Sequence, residues 1–379
     1  MQHNQFNSIF EFVYDPIMFN RYTDKQTLQY CMGGTLYMPG TKDFAERILN
    51  KQLDGLTSMV MCFEDAIKEE DVFTAEENAI RFLNLISDEL NKGSISLNDI
   101  PLIFFRVRNI EQFIRFSKRI EKKHVRVFAG FNFPKFNTTD GDLYFKHLRY
   151  LNDQFGEIIY GMPILEGREI AFKETRTEEL NGVKAILDQY KDIVLNVRVG
   201  ATDFSSCFGV RRGIDYTIYD ILTVRDCLQD VLNYFTRDND YTVSGPVWEY
   251  FRVDKAMKFR DIPQRSMNNS LLTRIPIINE AVDGLLRELV LDRANGFIGK
   301  TIIHPTHLRY VNAMLAVTRE EFEDALQILS VSGGAVKSRN ANKMNEIKPH
   351  RSWAERIYCR AEVYGVIEDE THYITMFLS

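Results

Sequence analysis

The sequence predicts an α/β chain folded as a (β/α)8 TIM barrel with an N-terminal extension and a C-terminal helical tail. Three observations carry that prediction. Eight short apolar runs of strand type recur along the chain, charged segments of helical period separate them, and no Pro- or Ser-rich linker interrupts residues 33–330. Eight strands with intervening helices favour a closed barrel over an open doubly wound sheet. With 45% hydrophobic and 26% charged residues, the 379-residue chain can bury a large core, and disorder is excluded.

Residues 1–32 read as the extension, whose Phe6, Phe10, Phe12, Tyr14 and Phe19 would pack on the barrel or on a neighbouring subunit. The barrel domain, 33–330, has predicted strands at 35–38, 58–63, 102–107, 125–131, 158–164, 193–199, 241–244 and 300–303. Amphipathic helices are predicted at 42–53, 75–91, 110–122, 177–190, 220–235, 280–294 and 319–330, with their charges on a solvated face. The tail, 331–379, is polar and rich in Gly and Asn up to 348, then resumes a helical pattern over 351–363. It reads as a loop and a docking helix that would serve as a lid or a subunit contact.

The 47 Lys and Arg against 53 Asp and Glu give a net charge of −6 with no long run of one sign, which argues against nucleic acid or anionic lipid as partner. A small molecule is the default ligand. Cys31, Cys62, Cys207, Cys227 and Cys359 are odd in number and never spaced C-x-x-C, so neither a disulfide framework nor a thiolate zinc site is expected. No basic segment followed by an apolar run opens the chain, and no stretch is apolar for the roughly 18 residues of a membrane span. A cytoplasmic protein is expected.

In barrels of this type the chemistry sits at the carboxyl ends of the strands. The third strand ends in Arg106 and Arg108, which alternation sends to one side; one pointing inward would put a guanidinium in the mouth. The fifth strand delivers Glu166 and the sixth Asp203, just after Gly200. Two carboxylates on adjacent strand ends suit a hard divalent cation such as Mg²⁺, with water and substrate oxygens completing its shell. An arginine opposite them would bind an anionic substrate. Each carboxylate taken alone would more often be a helix cap or a salt-bridge partner.

Read together, the strand-end segments resemble the citrate lyase beta subunit family of the HpcH/HpaI aldolase superfamily. LYMPG at 36–40, MCFEDAI at 61–67, FRVRN at 105–109, FNFPK at 131–135, MPILEG at 162–167, GATDFSSCFG at 200–209 and GFIGKTIIHPTHLRYVN at 296–312 match ordered motifs of that family. The resemblance implies a lyase or aldolase, trimeric or hexameric, that breaks or forms a carbon–carbon bond beside a 2-oxo or acyl-thioester group. It places Glu166 and Asp203 on the family's metal-binding glutamate and aspartate and Arg106 on its substrate arginine. Glu64 and Asp65 would support the metal site from behind. The substrate would be an anionic oxo acid, an acyl-CoA or a phosphorylated compound.

The sequence also departs from that pattern. Met32-Gly33-Gly34 stands where the family has Arg-Arg-Ser, Cys62 replaces an aspartate, and Arg108 replaces an asparagine. KMNEIKPH at 343–350 resembles a C-terminal motif whose acidic residue reaches a neighbouring subunit's site, so Glu346 would inherit a proton-transfer role. GVRRGIDYTIYDI at 209–221 and VSGPVWEYF at 243–251 resemble a divergent branch associated with tellurite- and stress-resistance genes. There Arg211 and Arg212 would bind a phosphorylated substrate in place of coenzyme A. The alternatives are a catalytically silent barrel that binds a phosphorylated metabolite or scaffolds a stress-response complex, and an acyl-CoA Claisen synthase or thioesterase. A Schiff-base route through Lys135 is a further alternative mechanism.

Overall fold

A computed structural model describes residues 1–5, 10–252, 267–339 and 342–378. Eight strands form its central sheet: β1 (Gly34–Pro39), β2 (Ser58–Cys62), β3 (Leu102–Arg106), β4 (Gly130–Phe133), β5 (Tyr160–Leu165), β6 (Val197–Val199), β7 (Val243–Ser244) and β8 (Lys300–Ile302). They lie in the order β7-β6-β5-β4-β3-β2-β1-β8, every pair parallel. Backbone bonds from Ile298 N to Val243 O (2.8 Å) and Thr301 N to Gly245 O (3.1 Å) join β8 to β7 and close the barrel. Closure removes the sheet edges and brings all eight carboxyl ends to one mouth.

Strand alternation decides what faces that mouth. Phe105 turns outward, its ring 5.3 Å from that of Phe116 on the helix Ile110–Ser117. Its neighbour Arg106 therefore points to the barrel interior. Phe105, Phe113, Phe116, Phe128 and Phe131 are all fully buried in this wall. Each contributes about 1.5–3 kcal/mol of apolar burial, which anchors the strand ends that carry the polar site.

The structure corrects several element boundaries. The fourth strand begins at Gly130, not at residue 125, because His124–Arg126 form a 3-10 turn in which His124 N bonds to Glu121 O. Val125, Val127 and Phe128 are buried there all the same. Apolar burial thus imitated a strand. At Gly130 a Cβ would lie 2.1 Å from Tyr160 O, so only glycine permits this approach of β4 to β5. The sixth strand is shorter than predicted, because Ile193 and Val194 both bond back to Tyr190 O. The helix Gly141–Phe155 was not predicted, although its buried Tyr144, Phe145, Leu148, Leu151 and Phe155 follow a helical period.

The extension packs at the amino ends of the strands, opposite the mouth. His3 is buried, bonded to Cys31 O (3.1 Å) and Thr57 Oγ1 (3.2 Å), and stacked on Tyr364 at 4.3 Å. Tyr364 lies on the tail helix Ile347–Tyr364, which packs on the helix Arg319–Ser330 around Phe322, Ala325, Ile328, Ala354 and Ile357. Phe6 lies outside the described residues. Among the described residues no helix is long and apolar enough to cross a membrane.

Candidate active site

A cavity of about 510 Å³ opens at the carboxyl ends of the strands, lined by Tyr37, Arg106, Glu166, Arg198, Asp203 and Thr301 among others. Glu166 follows β5 directly and is buried, with its Oε1 accepting the Lys135 backbone N–H at 3.0 Å. Lys135 adopts φ of 48°, the left-handed region that non-glycine residues rarely enter, and so its backbone N–H reaches the carboxylate. Beside it, Gly200 directly follows β6, and a Cβ there would fall 2.0 Å from Glu166 Oε2. Asp203, in the first turn of the helix Ala201–Cys207, lines the same cavity.

Burial, and after it the charge of Asp203, holds the Glu166 carboxyl well above the ordinary carboxylate range. Asp203 is raised as well, first by burial and then by Asp65. On the other side, Arg106 pairs with Glu64 (3.1 Å) and Asp65 (3.7 Å) and donates from Nε to Cys62 Sγ at 3.1 Å. Lys135 Nζ also bonds to Glu64. Cys62 therefore serves as an acceptor for Arg106 at the position where an aspartate was expected.

Four carboxylates, Glu64, Asp65, Glu166 and Asp203, thus converge with Arg106 and Lys135, and Arg198 lines the same cavity as a third cation. The excess of acid is what a divalent cation would relieve. Hard oxygen ligands without histidine suit Mg²⁺ better than zinc. Among the described residues no three His, Cys, Asp or Glu side chains converge tightly enough to hold an ion unaided. A site built on Glu166 and Asp203 leaves positions for water and substrate, as Mg²⁺ requires.

Several residues singled out in the sequence lie elsewhere. Arg108 does not line the cavity; its Nη1 turns to Phe63 O at 3.5 Å, because it follows the strand end and leaves the alternation. Arg211 is exposed, 3.9 Å from Glu249. Arg212 is buried, bonded to Glu288 (2.5 Å) and Val247 O (2.8 Å) with its guanidinium over the Trp248 ring. Its charge is therefore already paired, and neither arginine is placed to hold a substrate phosphate in the cavity. Glu346 sits exposed on a hairpin that pairs Ala335–Lys337 with Met344–Glu346, and within one chain it does not reach the cavity.

Lys135 carries little of the Schiff-base alternative. Burial works against its ammonium, but the bonded Glu64 overrides this and holds it above the usual lysine range, whereas a Schiff-base amine must be neutral to attack. Arg198 and Tyr37 escaped the sequence reading. A charged residue inside the apolar run 193–199 was the available signal for Arg198, since such a residue is seldom buried without a reason.

The model of a family described as C-C bond lyase of the TIM-barrel fold matches residues 26–366. Among solved structures, the chain is similar to CitE from Mycobacterium tuberculosis in complex with magnesium, acetoacetate and coenzyme A. The TM-score is 0.52 at 15% identity, over 88% of this chain and 99% of that one. RipC from Yersinia pestis aligns with a TM-score of 0.47 at 14% identity, over 76% of this chain and 95% of that one. The lead(II) complex of Haloferax volcanii malate synthase gives 0.47 at 12%, over 73% and 71%. No curated protein matches the chain.

Proposed function

The chain belongs to the C-C bond lyase family of the TIM-barrel fold, and from that premise we propose that it breaks or forms a carbon–carbon bond beside the 2-oxo group of a small anionic acid. The convergence of Glu166 and Asp203 in the same cavity as Arg106 is the observation that carries this reading. Glu166 and Asp203 would hold Mg²⁺. When bound, Mg²⁺ supplies Lewis-acid stabilisation of the negative charge that develops on the substrate carbonyl oxygen.

The chain's own residues supply positioning and charge. Arg106, fixed by Glu64, Asp65 and Cys62, presents its fork to the substrate carboxylate and orients the bond to be broken. Lys135 acts twice: its backbone N–H fixes one oxygen of Glu166, and its ammonium neutralises Glu64 so that Arg106 keeps a net positive face. Ile164, Val199 and Val247 line the remaining wall and lower the local dielectric, which strengthens these interactions.

Isothermal titration of Mg²⁺ into wild type, Glu166→Gln and Asp203→Asn tests the proposal. Loss of binding in both variants with an unchanged circular dichroism spectrum is expected. Undiminished binding in both would overturn the reading.

A further inference from the structure

Arg198, in the middle of β6, is 1% exposed and lines the cavity that holds Glu166 and Asp203. Its bonds go to neutral hydroxyls: Nη2 donates to Thr301 Oγ1 at 2.7 Å, and Nη1 makes long contacts with Thr35 Oγ1 (3.4 Å) and Ser244 Oγ (3.5 Å). Nε is buried without any partner. Among the described residues no carboxylate pairs with it. The buried Arg176 and Arg212 and the partly buried Arg106, by contrast, each face at least one acid within 3.1 Å.

An arginine cannot shed its proton to escape burial. A buried cation without an anion is costly, and surrounding hydroxyls offset only part of that cost. The fold keeps this charge on the wall of the substrate cavity, where a ligand anion would complete it. Tyr37 links it to the reaction end: the Arg106 and Arg198 guanidiniums lie 5.6 Å and 5.5 Å from the same Tyr37 ring. With both guanidiniums that close to one ring, the two lie no more than about 11 Å apart, a gap that a small diacid can bridge with one carboxylate on each. Arg106 has Glu64 and Asp65 beside it, shared with Lys135, whereas no carboxylate among the described residues pairs with Arg198.

We infer that Arg198, with the Thr301 hydroxyl, is the receptor for a second carboxylate of the substrate, so that the substrate class is a short dicarboxylic oxo acid. The inference rests on the lyase reading above for the position of the first carboxylate. It adds the selection of diacids over monoacids.

Titration of the full-length protein with malate and with lactate, a stable diacid and monoacid pair, in the presence of Mg²⁺ tests it. Wild type is expected to bind malate about tenfold or more tighter than lactate, the effect of one added charge-assisted contact. Arg198→Met should erase that preference while lactate affinity stays the same, and Arg198→Lys should restore part of it. The ligand-free Arg198→Met protein should melt at a higher temperature, because an uncompensated charge has been removed.

A malate preference that survives in Arg198→Met would overturn the inference, as would a lower melting temperature for that variant. Tighter binding of inorganic phosphate than of malate, lost in Arg198→Met, would overturn the carboxylate assignment. A metal-free arm separates this inference from the lyase reading. With EDTA present, and in Glu166→Gln, succinate should still raise the melting temperature of any protein that keeps Arg198. Absence of that shift counts against the receptor even if Mg²⁺ binding proves correct.

Discussion

Replacing Gly200 with alanine tests the site through a single methyl group. Gly200 has φ of −107°, a region open to any residue, so the substitution adds no backbone strain and its effect is purely one of contact. The new Cβ would lie 2.0 Å from Glu166 Oε2 and 2.5 Å from Glu166 Cβ. Ordinary carbon contacts begin near 3.5 Å, so the carboxylate must retreat by more than about 1 Å. A rotamer change can move Oε2 but not Cβ, which follows the backbone, and so the ends of β5 and β6 must also part. Overpacking of this kind costs about 1–3 kcal/mol. A displacement near 1 Å at a reacting centre costs about 100-fold in rate.

Gly200→Ala is therefore expected to keep its circular dichroism spectrum, to melt modestly earlier, and to lose about 100-fold in kcat/KM together with most of its Mg²⁺ affinity. Gly213→Ala is the control. There an added Cβ meets only Tyr216, at 3.6 Å, and no loss is expected. Wild-type Mg²⁺ affinity in Gly200→Ala would refute the placement of Glu166 at the metal.

Two further outcomes follow from buried charge. Lys300 is fully buried and bonds to Glu288 (2.9 Å) and Asp292 (2.7 Å), so Lys300→Met would leave two acids without that partner and cost about 3–5 kcal/mol in urea unfolding. A loss below about 1 kcal/mol would show that Arg212 and Tyr219 suffice to hold the cluster. Burial pushes His3 down to about 3 and His307 down to about 4. Both are neutral when folded and bind a proton when unfolded below about 6.5, so their stabilisation is complete above that pH and is lost as pH falls towards 4. Each contributes a slope of up to about 1.4 kcal/mol per pH unit in that window. Urea unfolding from pH 7 to 4.5 measures it, and His3→Gln should flatten the slope; an unchanged slope would remove His3 as a cause.

The alternation of apolar and charged segments foretold the eight strands, because each strand and helix declares itself within a dozen residues. Period-two alternation likewise set Arg106 and Phe105 on opposite sides of the strand, and the structure shows that Arg106 is on the inner one. The polar residues that end β5 and β6 were legible as Glu166 and Asp203, since a barrel gathers its strand ends at one mouth. Helix Gly141–Phe155 was equally legible from its spacing and was overlooked.

Other features depended on neighbours far away in the chain. Arg211 and Arg212 are adjacent, yet one is solvated and the other seals against Glu288 and Trp248, which arrive from other parts of the chain. The run at 125–131 had strand composition, but the turn at 124–126 carried its apolar residues into the core without a ladder. Arg198 shows the limit most directly. Its sequence neighbours fix only the face it points to, whereas its isolation is decided by Thr35, Ser244 and Thr301, brought together when the barrel closes. Local periodicity encodes direction, but the energy of a buried charge depends on which groups surround it, and those come from the whole length of the chain.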